Sequence, residues 1–370
     1  MMKFAFVISA MNPGGIENYL LRFLKYYEGM FIPIVILKNG EKGDLYEEYI
    51  KIKQIEVINK RISYFNPLDI LKLSISLKSI KPDAICDFTG NMSWNIMILG
   101  YYLKISNRIV FYRNSRNPFA PSILKNSYNY IANKIVCFFA TSILANSKSG
   151  IDFYIGQRSK NDPRVKVIHN GIDSQKFIKI VDKNNIKNKL NIPLNSFVIG
   201  HVGRYIPEKN HDLMLKIAIK LFYKYDDIFM VFVGQDTKSF IIEKKEEIQT
   251  DYSRILTIDN SRNVNEILNS FDVFLFPSLS EGQPNALIEA MITGLPIIAS
   301  NIPAIKESVP KTFITELLSP DNVDGFVDKI ENIYLNRDIK NKFIVQKWAM
   351  EYFNHKKQFG LFFNELKKTN

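Results

Sequence analysis

Cysteine is scarce in this chain: two residues, Cys86 and Cys137, among 370. Both sit in apolar surroundings, without a second sulfur or a histidine at metal-ligand spacing. That excludes a disulfide scaffold and a zinc module, and predicts two buried free thiols in a reducing compartment. Histidine is scarce too, at four residues. Long hydrophobic runs are missing: the longest charge-free apolar stretches, such as residues 135–145, fall well short of the ~20 residues a spanning helix needs. The first ten residues have the superficial look of a secretory leader. They lack a cleavage site and run straight into Asn12-Pro13-Gly14-Gly15, so a first β-strand is expected there. No short repeat and no low-complexity block is found.

What remains is ordinary in composition and uneven in charge. A hydrophobic fraction of 46% and a mean hydropathy of −0.08 describe a globular protein, long enough for two domains. Residues 1–185 hold 26 Lys+Arg and 14 Asp+Glu, which is the whole of the net +12. An anionic membrane surface is one partner such a field suits; general composition bias is the bland alternative. No nucleic-acid motif accompanies the charge, so nucleic acid is not expected as a partner.

Apolar runs alternate with longer amphipathic segments throughout, the pattern of an α/β protein with parallel sheets. Residues 4–9, 32–37, 84–88, 108–112, 142–145 and 165–168 read as strands of a first sheet. Residues 198–202, 229–233, 255–257, 273–276 and 297–300 read as strands of a second. Between the sets lies Asn170-Gly171-Ile172-Asp173, followed by a polar stretch rich in Lys and Asn. The expected division is therefore a first domain over 1–175, a connection over 176–195 and a second domain over 196–345. The stretch from about Asp338 to Leu366 reads as one aromatic-rich helix.

The most informative segment is Phe274-Leu-Phe-Pro-Ser-Leu-Ser-Glu281-Gly-Gln-Pro-Asn-Ala-Leu-Ile-Glu289-Ala-Met-Ile-Thr-Gly-Leu-Pro-Ile-Ile-Ala-Ser300. A buried strand, a polar turn, a short helix from about Pro284 to Gly294 and a second buried strand follow one another. A helix N-terminus behind a glycine-containing turn offers free N–H groups and a positive dipole end, which suits phosphate. Carboxylates beside it suit sugar or ribose hydroxyls. The ligand this predicts is a phosphorylated sugar.

The Glu-x7-Glu spacing, with Pro-Ser before it and Glu-Ala-Met-x-x-Gly-Leu-Pro-x-Ile after it, resembles the signature of retaining glycosyltransferase family 4. The resemblance implies the GT-B fold: two Rossmann-like domains facing a cleft that holds a nucleotide-sugar, with the last helix (residues 346–370) crossing back to complete the first domain. It implies that Glu281 holds hydroxyls of the transferred sugar and Glu289 those of the ribose. Gly282, Gln283, Asn285, Ala286 and Leu287 would line the donor between them. The form Glu-Gly-x-Pro-Asn-x-Leu-Ile-Glu-Ala looks most like the capsule and exopolysaccharide branch.

Other positions fall into place beside this resemblance. Gly203-Arg204 follows a strand, with Lys209 and His211 a few residues on. The two cations can converge on a leaving diphosphate, whereas on residue type alone they would read as a solvated basic turn. Gly14-Gly15 at a strand–helix turn is ordinarily tight geometry; the family places its first glycine loop against the sugar diphosphate, so Gly15 is a donor-side candidate. Asp259–Val264 resembles the loop that touches the base, which adds Val264. Many family members carry a histidine near Arg113-Asn114, where this chain has none, so Arg113 and Asn114 are acceptor-side candidates.

The expected activity is retaining transfer of a hexose-type sugar from a nucleoside-diphosphate sugar, a UDP-sugar favoured, to a saccharide or lipid-linked saccharide. The catalytic candidates are Glu281, Arg204 and Lys209, with no cofactor and no metal: no Asp-x-Asp stands in a strand–turn context. The family is usually explained by front-face attack, with no protein nucleophile. Work in the cytoplasm, with reversible contact of the N-terminal half to the inner membrane face, completes the expectation. A non-catalytic glycosyltransferase-like subunit and a GT-B epimerase or phosphorylase are the alternatives.

Overall fold

A computed structural model of the chain describes residues 1–63, 66–113, 123–156, 161–178, 182–246, 248, 251–259, 263–336 and 342–368. They form two compact units, one made of Met1–Gly171 with Lys356–Asn370, the other of Ile172–His355.

The first unit runs β1 (Lys3–Ile8), α1 (Gly15–Tyr26), β2 (Ile32–Leu37), α2 (Tyr46–Tyr49), β3 (Glu56–Asn59), α3 (Pro67–Ile80) and β4 (Ala84–Asp87). It continues through α4 (Trp94–Tyr102), β5 (Asn107–Tyr112), α5 (Ile123–Phe139), β6 (Ser142–Ala145), α6 (Lys148–Tyr154) and β7 (Val165–Val167). The seven strands are parallel in the order β3-β2-β1-β4-β5-β6-β7. Strand side chains alternate between two cores. Phe4, Phe6 and Phe111 pack with α1 on one face, while Ala5, Val7 and Val110 pack with α3, α4 and α5 on the other. Strand β3 goes beyond the six expected strands: Glu-Val-Ile-Asn at the sheet edge is only half covered and lacks an apolar run.

The second unit runs α7 (Lys183–Lys189), β8 (Phe197–Val202), α8 (His211–Phe222), β9 (Ile228–Val233), α9 (Thr237–Glu243), β10 (Ile255–Ile258), α10 (Val264–Leu268) and β11 (Val273–Phe276). Then come α11 (Asn285–Thr293), β12 (Ile297–Ala299), α12 (Pro303–Glu307), α13 (Val323–Asn336) and α14 (Lys342–Tyr352). Its five strands are parallel in the order β10-β9-β8-β11-β12, and all five match the expected runs. Gly294 closes α11 at φ +82°, the left-handed cap that glycine adopts without strain.

The units divide at different places from those read in the sequence. Residues 182–195 belong to the second unit: Ile186 is buried, Ile192 joins its core, and Lys187 Nζ donates to Ser196 O at 2.6 Å. The single C-terminal helix is two. In α14, Val345 and Ala349 pack with Met291 and Ile292 in the second unit. The chain then leaves the helix at Phe353, whose carbonyl accepts from Ile172 N, and Asn354 bridges to Ile172. Only α15 (His355–Lys367) completes the first unit. Its Phe359, Phe362, Phe363 and Leu366 fill the α1-side core, and Glu365 accepts from Ser142 Oγ at 2.9 Å.

Candidate active site

In the second sheet the strand order reverses between β8 and β11, and turns leaving their C-terminal ends flank that switch point. The turn after β8 carries Gly203, Arg204 and Lys209; the turn after β11 carries Pro277 to Gln283. Backbone and side chains tie them together. Leu279 N donates to Glu208 O at 2.8 Å, and Asn210, in the left-handed region at φ +61°, donates through Nδ2 to Pro277 O and Pro320 O.

Across this junction Lys209 Nζ meets Glu281 Oε1 at 2.7 Å, and both side chains are mostly buried. The Lys209 ammonium also lies 4.8 Å from the Phe276 ring centroid. Arg204 is exposed and has no ion-pair partner among the described residues. Helix α11 begins at the end of the same turn. Its N-cap is Pro284, with no side-chain cap; Asn285 N donates to Gln283 O at 3.0 Å, and the positive dipole end of the helix points into the turn. Gln283 is buried and Gly282, Asn285, Ala286 and Glu289 are half-buried, while Leu287 is committed to the core. Asn285 and Glu289, four residues apart, share one face of α11. Val264 opens α10 and packs on the core that α11 also lines.

Beneath the first turn lies a pair of histidines. His201 and His211 are fully buried, their ring centroids 5.0 Å apart, and His201 Nδ1 is 2.9 Å from Leu275 O. Burial, reinforced by the Lys209 charge, pushes His211 down to about 4; burial and the neighbouring His211 push His201 well below the usual range. Both rings are therefore neutral at pH 7. His211 is a packed member of this floor, while the cap position of α8 belongs to Asn210.

Sequence reasoning passed over Gly234, which follows β9 as Gly203 follows β8. At φ +152° a Cβ there would fall 2.3 Å from Gly203 O and 2.7 Å from Arg204 N. Glycine at 234 lets the Arg204 turn lie directly on the neighbouring one. The repeated strand–glycine junction was the available signal.

The remaining candidates lie in the first unit. Gly15 begins α1, and a Cβ on it would meet nothing within 4 Å, so neighbouring atoms do not demand glycine there. Arg113 follows β5 at the sheet's C-terminal edge, as expected, but its guanidinium is turned inward. It is 7% exposed, lies 3.9 Å over the Tyr19 ring, and is pushed down to about 10 by burial. Asn114 and residues 260–262 lie outside the described residues. Cys86 is buried as expected; Cys137 is only half-buried. Among the described residues there is no cluster of three metal-binding side chains and no helix long and apolar enough to cross a membrane.

Two parallel α/β units, with a cation–carboxylate pair at the switch point of the second beside an uncapped helix, define a glycosyltransferase of the GT-B fold. Residues 13–176 match Glycosyltransferase Family 4 and residues 182–347 match Glycosyl transferases group 1; the chain belongs to this family. It is 29% identical over 324 residues to the capsular polysaccharide biosynthesis glycosyltransferase CapH of Staphylococcus aureus, covering 82% of each chain. It is 35% identical over 199 residues, half of each chain, to an Escherichia coli UDP-Gal:alpha-D-GlcNAc-diphosphoundecaprenol alpha-1,3-galactosyltransferase. The Anabaena protein Alr3699/HepE, solved with UDP-glucose, shares the fold at a TM-score of 0.81 and 19% identity, over 99% of each chain.

Proposed function

We propose that this enzyme transfers a hexose-type sugar, with retention, from a nucleoside-diphosphate sugar to a saccharide or lipid-linked saccharide in the synthesis of a cell-surface polysaccharide. The observation that carries the reading is the Lys209–Glu281 pair at the switch point, beside the uncapped start of α11. Lys209 and Arg204 hold the diphosphate and the α11 dipole adds to them, so the leaving charge is neutralised without a metal ion. Glu281 orients the transferred sugar, and Glu289, one turn into α11, takes the ribose. The departing phosphate accepts the acceptor's proton in a front-face attack. The name of the Escherichia coli relative supports a UDP-sugar donor and a lipid-linked acceptor, and that of CapH a role in polysaccharide synthesis; with such an acceptor the enzyme would work at the cytoplasmic face of a membrane.

Calorimetry and transfer assays with a nucleotide-sugar panel test the division of labour. Glu289→Ala weakens binding of the free nucleoside diphosphate; Glu281→Ala spares that binding and impairs transfer. The reverse pattern overturns both assignments. Activity is expected to survive excess EDTA, and a loss restored by Mg²⁺ or Mn²⁺ would overturn the metal-free reading.

A further inference from the structure

Between Asp87 and Asp152 the chain has no acidic residue, yet it carries seven Lys and Arg. This stretch builds α4, β5 and α5, and the two helices pack side by side against the same face of the first sheet. Their inward sides are conventional: Ile96, Met97 and Val136 are buried. Their outward sides are not. On α5, Tyr130, Ile131, Lys134 and Phe138 follow the spacing of a single helical face, and Phe138 is 78% exposed. At the end of α4, Tyr101 packs against Phe139 with centroids 5.2 Å apart, and Tyr102 beside it is 74% exposed. Lys134 Nζ lies 4.4 Å from the Tyr130 ring centroid, and Lys104 is exposed next to Tyr102. Tyr128 faces the other way: it accepts from Trp94 Nε1 at 2.9 Å and holds the two helices together.

Helix α3 shares this face of the sheet through buried Leu73 and Leu77. It too is inverted outward, with Leu68, Leu71 and Ile75 more than half exposed and Lys72 and Lys78 beside them. Scattered apolar side chains on a surface need no explanation. Here eight of the large exposed ones sit on three neighbouring helices that hold a single carboxylate, Asp69, and that one accepts from Ser63 N. A protein partner would need complementary charge, and a face of tyrosines, leucines and lysines with one paired carboxylate offers basic groups alone. Aromatic rings that bury their bodies while lysines remain in water match the interface of an anionic bilayer.

We propose that the outward faces of α3, α4 and α5 form a docking surface for anionic lipid. It deepens, and rests on, the reading of a lipid-linked acceptor, by placing the first unit on the membrane that would carry it. Insertion is shallow and reversible, because the contact uses side chains and no spanning segment.

Flotation with vesicles of phosphatidylcholine, with and without phosphatidylglycerol, tests this on the full chain. Binding is expected only with phosphatidylglycerol, and is expected to fall steeply as the Debye length shrinks from ~10 Å at 0.1 M salt to ~3 Å at 1 M. Lys104→Glu with Lys134→Glu should lower partitioning about 25-fold or more, at roughly fivefold per lysine removed. Tyr102→Ser with Phe138→Ser should weaken binding even at low salt, and all four positions are exposed, so folding is spared. No binding to anionic vesicles at low salt, or wild-type binding by the combined variant, overturns the proposal. So does a dimer in solution that Phe138→Ser dissolves, which would assign the face to a second copy. Nucleotide binding measured without vesicles is independent: its loss would strike the enzymatic reading and leave the surface standing.

Discussion

Lys209 and Glu281 come from turns 72 residues apart and meet at 2.7 Å in a largely desolvated spot. Neither charge is cheap to leave there alone. Lys209→Ala is therefore expected to impair stability as well as turnover: transfer falls by roughly 10² or more, as for loss of one electrostatic donor. A double-mutant cycle of Lys209→Ala and Glu281→Ala in urea should give a coupling of about 1–3 kcal/mol, as for residues in direct contact. Additive effects would mean the pair is a surface coincidence. On the proposed reading the donor's diphosphate would compete with Glu281 for Lys209. Arg113 is the contrasting residue. Its place at the sheet edge was legible, but the direction of its guanidinium was not, because Tyr19, the ring it covers, comes from another element.

At the scale of elements, strands inside the sheets were readable because both their faces are covered, which writes them as unbroken apolar runs. Edge strand β3 carries Glu56 and Asn59 and has no such run. The break between α14 and α15 was hidden for a different reason. Aromatics continue across Tyr352 and Phe353, so nothing local marks the break at Asn354, and the two helices are told apart by the cores they enter, Val345 and Ala349 in one and Phe359 and Phe362 in the other. Of the site, the Glu281–Glu289 turn and helix were legible from local sequence. The His201–His211 floor and the seating of Gly234 on Gly203 depend on contacts between distant segments. Two substitutions test these elements. Gly234→Ala must push backbone against backbone, and should cost roughly 2 kcal/mol or more in denaturant unfolding and lower donor affinity by shifting the Arg204 turn. Phe362→Ala removes a fully buried ring of α15 from the first core and should cost about 3–5 kcal/mol, with donor affinity of the folded fraction unchanged.

For the whole molecule, buried neutral histidines set a limit on acid tolerance. His211 titrates at about 4 when folded and near 6.5 when unfolded. Below pH 6.5 the unfolded chain therefore binds the extra proton, so stability is complete above that value and drains away as pH falls toward 4. The loss from this one group is roughly 3 kcal/mol. Urea titrations at pH 7 and 4.5 should display it, and His211→Phe should flatten the difference; an unchanged slope would show the ring is not held neutral. A second consequence follows from α15 belonging to the core of the unit that is translated first. Phe359, Phe362 and Phe363 leave the ribosome only after the roughly 180 residues of the other unit. At ~5–20 residues per second the nascent first unit waits on the order of ten seconds or more with an open aromatic trough. Neither core is complete until α14 and α15 have been made, and a ribosome-bound chaperone would find its substrate in residues 1–171 during that interval.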